Sequence, residues 1–165
     1  MTASIQLRLH RDGDAEEIKR VALAAFAQFQ ARYTNWDAFS LGVARMLALA
    51  ETGEIVVADA GDRLAGAVAY MPPHAPKAEF FDAGWPLMRM LAVDPAFRGR
   101  GIGRQLTEAC IERARRDGCA AIALHTAPIM EVALAMYLRM GFAFVRDAPP
   151  IHGVAYGVYV KTLAP

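Results

Sequence analysis

Arginine and glycine alternate between residues 98 and 104, where the chain reads Arg-Gly-Arg-Gly-Ile-Gly-Arg. Glycine lets a backbone approach a ligand closely and expose its amide N–H groups. A helix N-terminus carries about half a positive charge and several unpaired donors, so it favours phosphate groups. The arginines add charge at the same place, and no acidic residue lies between Asp94 and Glu108. The stretch therefore predicts a phosphate-binding turn.

Two common nucleotide-binding patterns do not fit this turn. A P-loop ends in Gly-Lys-Ser/Thr, whereas Gly101 is followed by Ile, Gly and Arg, which argues against magnesium–nucleotide chemistry. A Gly-x-Gly-x-x-Gly fingerprint starting at Gly101 needs a third glycine where the chain has Leu106. Taken alone, the turn is also compatible with an ordinary tight connection between a strand and a helix.

The elements around the turn indicate an α/β fold. Residues 87–93 are apolar on both faces apart from Arg89, which is typical of a central strand covered on both sides. Apolar periodicity predicts further strands at 5–10, 120–126, two within 54–71 and two after 142, and helices from 14, about 37–50, from 101 and from 129. The order β-α-α-β-β-β-α-β-α-β-β predicts a mixed, mostly antiparallel twisted sheet of about seven strands, with helices on both faces. We expect a single domain over residues 1–165, a long functional loop at 72–86, and a Pro-Pro loop between the last two strands.

Net charge, the length of apolar runs and the spacing of cysteines and histidines limit the classes of partner and the location that we expect. The 165 residues carry a net charge of only +1, which favours neither nucleic acid nor an anionic membrane as a partner. The first 14 residues lack the apolar region of a signal peptide, and no apolar run reaches about 18 residues. Cys110 and Cys119 fit reduced, inert thiols, and the four histidines lack metal-ligand spacing. We expect a cytoplasmic protein without a metal.

Two motifs of this chain resemble those of the GNAT superfamily, the acyl-CoA-dependent N-acetyltransferases. Motif A, with its Arg/Gln-x-x-Gly-x-Gly/Ala signature, is matched in MLAVDPAFRGRGIGRQLTEACIERARRDG by Arg98, Gly101 and Gly103. Motif B, an Ala-x-x-x-Tyr-x-x-x-Gly-Phe run, is matched by ALAMYLRMGF at 133–142. The element order and the spacing of the two motifs agree as well, so the resemblance covers essentially the whole chain.

The resemblance implies acetyl-CoA as co-substrate. Amides of residues 99–104 would hold the coenzyme A pyrophosphate, and a bulge near residues 91–93 would separate that strand from the one at 120–125. Backbone groups at 91–93 would then pair with the pantetheine amides and polarise the thioester carbonyl. The implied coenzyme-binding residues are Leu91, Ala92, Val93, Arg98, Gly99, Arg100, Gly101, Ile102, Gly103, Arg104, Ala133 and Tyr137.

Acetyl transfer to an amine requires a proton donor for the leaving thiolate and an acceptor for the amine proton. Tyr137 matches the general-acid tyrosine of motif B, although spacing alone favours an ordinary core tyrosine. The chain departs from the family at Met130, where an asparagine is common, and this puts one polar contact in doubt. For the general base, Glu79, Asp82, His125 and an ordered water all remain open.

The acceptor side is less defined. Arg89 needs a partner in its apolar strand, and we favour a structural ion pair over a substrate carboxylate. Phe80, Phe81 and Trp85 either wall the acceptor pocket or pin the loop. We expect an enzyme that acetylates a primary amine of a small molecule or peptide. The alternative is an acyl-CoA-binding regulatory module without turnover. A free edge after GVYVKTL allows a homodimer.

Overall fold

The computed structural model describes residues 4–164, which form a seven-stranded sheet with helices on both faces. The strands are β1 Gln6–Leu9, β2 Glu54–Asp59, β3 Leu64–Met71, β4 Leu87–Val93, β5 Ala121–Thr126, β6 Ala143–Ile151 and β7 Val154–Thr162. The helices are α1 Ala15–Phe26, α2 Trp36–Ala44, α3 Ile102–Arg116 and α4 Glu131–Arg139. The predicted α/β class and element order are confirmed. Between residues 4 and 164, no helix has both the length and the apolar character needed to cross a membrane.

The sheet runs in the order β1-β2-β3-β4-β5-β7-β6. Every neighbouring pair is antiparallel except β4 and β5, which are parallel. These two strands are joined through α3, because a parallel connection needs a crossover that returns over the face of the sheet. The crossover places the arginine–glycine turn, which precedes α3, at the end of β4 and beside β5.

The sheet lies between two layers of buried apolar side chains, one on each face. On one face, Ile18 and Val21 of α1 are fully buried in the same cluster as Val57 of β2. On the other face, Leu106 of α3 is fully buried with Val68 of β3. Alternate residues of a strand point to opposite faces, so the apolar sequences of β2 and β3 supply both layers. Each fully buried side chain of this size contributes about 1.5–3 kcal/mol, which fixes the central strands between the helices.

A β-bulge interrupts β4. Ala67 of β3 pairs with Ala92, whereas Ala69 pairs with Arg89, so β4 contains one residue more than its partner over this span. Met90 occupies the bulge with φ of 58°, a left-handed conformation that is uncommon for a residue other than glycine. A bulge was expected near residues 91–93, and the structure centres it on Met90.

Beyond the start of β4, the two parallel strands separate. Within residues 4–164, the ladder between β4 and β5 contains a single pair, Leu87 with Ala123. The amide of Ala123 also donates to the Pro86 carbonyl at 3.0 Å. From there towards their carboxyl ends the strands share no further pair, so backbone groups of β4 that face β5 have room for another partner. The expected separation of these strands is present.

The expectation of a Pro-Pro loop near the C-terminus is wrong. Pro149 and Pro150 lie inside β6, and the turn into β7 is made by His152 and Gly153. Proline lacks an N–H donor and is therefore tolerated in edge strands and at irregular positions. Strand β6 is one of the two edge strands of the sheet, and its register with β7 shifts between Ala148 and Ile151. The expectation of a free edge after GVYVKTL is also wrong, because β7 pairs with β5 on one side and with β6 on the other.

Candidate functional site

The arginine–glycine turn presents a row of free amides. Gly99 and Gly101 have φ of 77° and 76°, and a Cβ at either position would meet no atom within 4 Å, so conformation, not space, requires glycine. Across residues 4–164, no backbone carbonyl accepts a hydrogen bond from the amides of residues 99–104. The first amide to find such a partner is that of Gln105, 3.0 Å from the Gly101 carbonyl. The turn and the N-terminus of α3 therefore offer several donors to one ligand.

The three arginines of the turn are held around these amides. Arg98 donates to the Ala25 carbonyl at the end of α1 at 3.4 Å, and Arg100 lies 5.0 Å from the centre of the Phe97 ring. Arg104 forms an ion pair at 3.0 Å with a glutamate one helical turn further on. All three side chains remain exposed. Their positive charges therefore belong to the same turn as the backbone donors, and none of the three is buried.

Asp94 anchors the start of the turn to α1. Asp94 is 5% exposed. Its carboxylate accepts a hydrogen bond from the Ala96 amide at 2.9 Å and forms an ion pair with Arg20 of α1 at 3.0 Å. Burial alone would raise the pKa of Asp94, but these two hydrogen bonds hold it below its usual range. Sequence reasoning missed Arg20. The one signal available was Asp94 before Pro95, a common way to begin a helical turn.

Tyr137 of α4 lies in the core beside this region. It is 5% exposed, and its ring meets that of Phe142 edge-on at 5.7 Å. Burial raises its pKa above the usual range, and the neighbouring Cys110 adds to this effect. The hydroxyl is therefore protonated at neutral pH and able to donate.

Helix α4, the end of β4 and the start of α3 converge around Gly103. From the position that a Cβ would take on this glycine, Met136 and Val93 lie at 3.7 Å and Leu91 at 3.9 Å. Leu91 and Val93 belong with α3 and α4, whereas Ala92 faces the α1 layer and is 1% exposed. Ala92 can therefore offer a ligand on the α3 side only its backbone. Two further predicted residues, buried Ile102 and partly buried Ala133, belong to the α3–α4 layer.

A second feature lies on the opposite, α1 face of the same strand separation. A cavity of about 70 Å³ is lined chiefly by Lys77, Phe80, Phe81, Leu87, Arg89 and His125. Phe80 and Phe81 contact the His125 ring at centroid distances of 5.5 and 5.6 Å, and Tyr156 contacts it at 5.2 Å. Burial, together with the charge of Arg89, lowers the pKa of His125 to about 4. The imidazole is therefore neutral at physiological pH.

The three side chains considered as general base have different surroundings. His125 lines the cavity, and its Nδ1 atom is buried without a hydrogen-bond partner. Glu79 and Asp82 are exposed on the loop, and Asp82 lies 3.6 Å from Arg146. Neither carboxylate lines the cavity.

The structural ion pair expected for Arg89 is not formed. Within the described chain, residues 4–164, Arg89 takes part in no ion pair, and burial lowers its pKa with no charged neighbour to offset the effect. The expectation was wrong because strand alternation aims Arg89 into the cavity, towards aromatic and basic side chains. The aromatic residues of the loop at 72–86 have two different roles. Phe80 and Phe81 line the cavity, whereas the Trp85 ring lies 5.5 Å from the Arg146 guanidinium and holds the loop in place.

Neither cysteine favours the reactive thiolate form, and Met130 contacts β5. Burial raises the pKa of the Cys110 thiol to about 12, and burial also raises that of Cys119, so both favour the thiol form. Met130 precedes α4, and its sulfur lies 3.8 Å from the Thr126 hydroxyl of β5. This weak contact joins α4 to β5 at the position where the family commonly has an asparagine.

A sequence model of the acetyltransferase (GNAT) family matches residues 16–142. The chain belongs to this family. The match runs from the first turn of α1 to the residue before β6 and includes β4, the arginine–glycine turn, β5 and α4. The likeness expected from motifs A and B is confirmed.

Individual GNAT relatives are distant. The rat N-acetyltransferase 8F1 is 30% identical over 92 residues, which cover 54% of this chain and 39% of the rat protein. The chain matches 30% and 50% of the length of two further curated relatives, from yeast and Bacillus subtilis. The structure of PH1933 from Pyrococcus horikoshii superposes with a TM-score of 0.78 at 16% identity, covering 98% of this chain and all of that one. A Brucella melitensis GNAT acetyltransferase in complex with acetyl-CoA gives 0.67 at 24% identity, covering 99% and 90%. These neighbours share the fold.

Proposed function

We propose that this GNAT chain transfers the acetyl group of acetyl-CoA directly to a primary amine. The observation that carries the proposal is the row of amides at residues 99–104, which find no backbone partner among residues 4–164 and stand beside the separation of β4 and β5. Diphosphate oxygens are suitable acceptors for such donors. The Brucella melitensis relative of the same fold, whose structure contains acetyl-CoA, supports the choice of ligand.

In this proposal the coenzyme follows the α3 side of β4. The amides of 99–104 and the charges of Arg98, Arg100 and Arg104 hold its diphosphate. The backbone of residues 91–93, freed from β5 by the bulge, pairs with the pantetheine arm, and one amide there polarises the thioester carbonyl. Ala133 and Tyr137 of α4 complete the coenzyme site from the other side.

The chemistry then requires two proton movements. The amine nitrogen attacks the carbonyl carbon, the nitrogen–carbon bond forms and the carbon–sulfur bond breaks. Tyr137 donates its proton to the departing sulfur and is reprotonated from solvent; burial keeps the hydroxyl protonated before the reaction and favours a neutral thiol over a thiolate. The amine proton passes to His125 or to an ordered water, since His125 is the one of the three candidate side chains that lines the cavity.

Ligand binding and turnover test the proposal separately. In a thermal-shift series, acetyl-CoA and coenzyme A at 100 times their dissociation constants should stabilise the protein by about 2.7 kcal/mol, whereas NADH should not. Release of free thiol from acetyl-CoA with a broad panel of amines then reports turnover. Absence of any shift with acetyl-CoA contradicts the proposal. A shift without turnover on any amine would instead favour a regulatory acyl-CoA-binding module.

A further inference from the structure

The cavity on the α1 face has an unusual electrostatic composition. Arg89 and Lys77 line it, and none of its lining residues is acidic. Lys77 donates to the carbonyls of Ala75 and Ala83 at 2.8 and 2.9 Å, so its charge meets neutral partners. Two cations thus share a small cavity, and no anionic side chain of the described residues 4–164 balances them.

Other partly buried arginines of the chain are neutralised. Arg8 pairs with Asp14 at 2.8 Å, and Arg20 pairs with Asp94 at 3.0 Å. Arg113 lies 3.4 Å from a carboxylate oxygen of Glu54. Taking a guanidinium out of water without a partner is costly, and the chain avoids that cost at these positions. Arg89 is therefore an exception that a ligand would explain.

Strand register aims Arg89 and His125 at one space. Leu87 of β4 and Ala123 of β5 form the last pair before the strands separate, and Arg89 and His125 each lie two residues further on. In parallel strands, residues two positions beyond a pair lie on the same face of the sheet. Both side chains line the cavity, and the Nδ1 atom of His125 is buried there without a hydrogen-bond partner.

We propose that Arg89 binds a carboxylate of the acetyl acceptor, so that the acceptor is a free α-amino acid and not a simple amine. This inference rests on the proposed acetyl transfer and specifies its substrate. A guanidinium binds a carboxylate through two parallel hydrogen bonds and thereby fixes its orientation. The cavity of about 70 Å³ is large enough to admit such a group.

The contact between Arg89 and the acceptor carboxylate also explains how the acceptor's amino group reaches the thioester. The separation of β4 and β5 lies between the cavity and the coenzyme side of the sheet. A carboxylate held by Arg89 leaves the neighbouring α-amino group at the edge of the separation. Phe80 and Phe81 supply an apolar wall, which favours amino acids with apolar side chains.

The test compares matched acceptors. Leucine, methionine and phenylalanine are each assayed beside their primary amides and the corresponding simple amines, with acetyl-CoA saturating and thiol release as the readout. We expect kcat/KM to be about 10- to 100-fold higher for the free acids, the range of a lost charge-assisted hydrogen bond. Arg89→Gln should remove this preference, and Arg89→Lys should restore part of it. The exposed Arg115→Gln variant provides a matched control that should retain the preference.

Each outcome is decisive. Equal rates for acids and amides in the wild-type protein overturn the carboxylate assignment while leaving acetyl transfer intact. A preference for acids that survives in Arg89→Gln overturns the role of Arg89. If no acceptor is acetylated, acetyl transfer itself fails, and acetyl-CoA binding by calorimetry then shows whether the coenzyme site stands. Thermal unfolding of each variant separates loss of the contact from loss of the fold.

Discussion

The two faces of the β4–β5 separation are built on different principles. On the α3 face, the proposed coenzyme site depends chiefly on backbone amides at residues 99–104, whose arrangement follows from glycine conformation and a helix terminus, with arginine charges added around them. On the α1 face, the cavity depends on side chains, above all Arg89 and His125. A backbone site binds a constant ligand and tolerates changes of side chain. A side-chain site changes its ligand with one substitution, so coenzyme use and acceptor choice are able to vary separately.

The largest effect is expected where the two faces meet in the reaction, at Tyr137. Tyr137→Phe should lower kcat by about 100-fold or more, since it removes the proposed proton donor to the leaving sulfur, while the dissociation constant of acetyl-CoA stays nearly unchanged. Stopped-flow turnover and calorimetry measure the two quantities. Tyr159→Phe, a change at another buried tyrosine, is the control and should leave kcat intact. Equal turnover in wild type and Tyr137→Phe would remove this tyrosine from the mechanism.

If backbone amides bind the coenzyme, a change of backbone conformation at Gly101 should weaken acetyl-CoA binding even though the new side chain meets no other atom. Gly101→Ala places a Cβ where no atom lies within 4 Å, but its φ of 76° costs a non-glycine residue about 1–2 kcal/mol. We expect acetyl-CoA to bind about 5- to 30-fold more weakly, as measured by calorimetry. Gly42→Ala, which also meets no atom but needs no positive φ, should not weaken binding. An unchanged affinity in Gly101→Ala would contradict the backbone site.

An ion pair between Asp94 and Arg20 anchors the start of the arginine–glycine turn to α1. Asp94→Asn removes a charge bound by Arg20 and should lower the free energy of unfolding by about 1–2 kcal/mol at pH 7, the lower part of the usual range since Arg20 is 39% exposed. The lowered pKa of Asp94 means that its stabilisation exists above the unfolded-state pKa of about 4 and is lost as the pH falls. Urea unfolding should therefore show the two proteins converging below about pH 4. A constant difference would exclude this origin.

The smallest expected effect is a change in the pKa of His125, which lines the cavity. The His125 ring should titrate near pH 4 by NMR, because it is buried and faces Arg89 of β4, with Lys77 on the loop and Tyr156 on β7 also nearby. Arg89→Gln removes a positive charge and should raise the pKa of His125, whereas Arg115→Gln should not change it. Since the folded protein resists protonating His125, its contribution to stability declines as the pH falls from about 6.5 towards 4. Titration of His125 near 6.5 in the wild type would contradict its burial.

The arrangement of elements was predictable because it is written in local patterns. The apolar run of β4, the glycines before α3 and the αL position of Gly141 after α4 each satisfy a local rule of backbone conformation. The Pro149-Pro150 pair shows where such rules fail. Proline excludes a central strand but not an edge strand, and which strand lies at the edge follows from the order of the whole sheet.

The candidate site was only half predictable, for a related reason. The residues from Arg98 to Arg104 are contiguous, so their chemistry could be judged from the sequence. Arg20, Lys77 and Arg89 act through partners, or through a lack of partners, that are distant in the chain. No spacing rule distinguishes a paired arginine from an unpaired one.

Local patterns in the chain were enough to predict the family, the order of strands and helices, and a turn whose glycines release backbone donors, since each of these depends on neighbours within a few residues. Long-range packing alone shows that Arg89 meets no counter-charge within residues 4–164 and that His125 lies beside it across the gap between β4 and β5. Those facts depend on where two strands stop pairing, and that point is fixed by a bulge at Met90 and by packing from both layers.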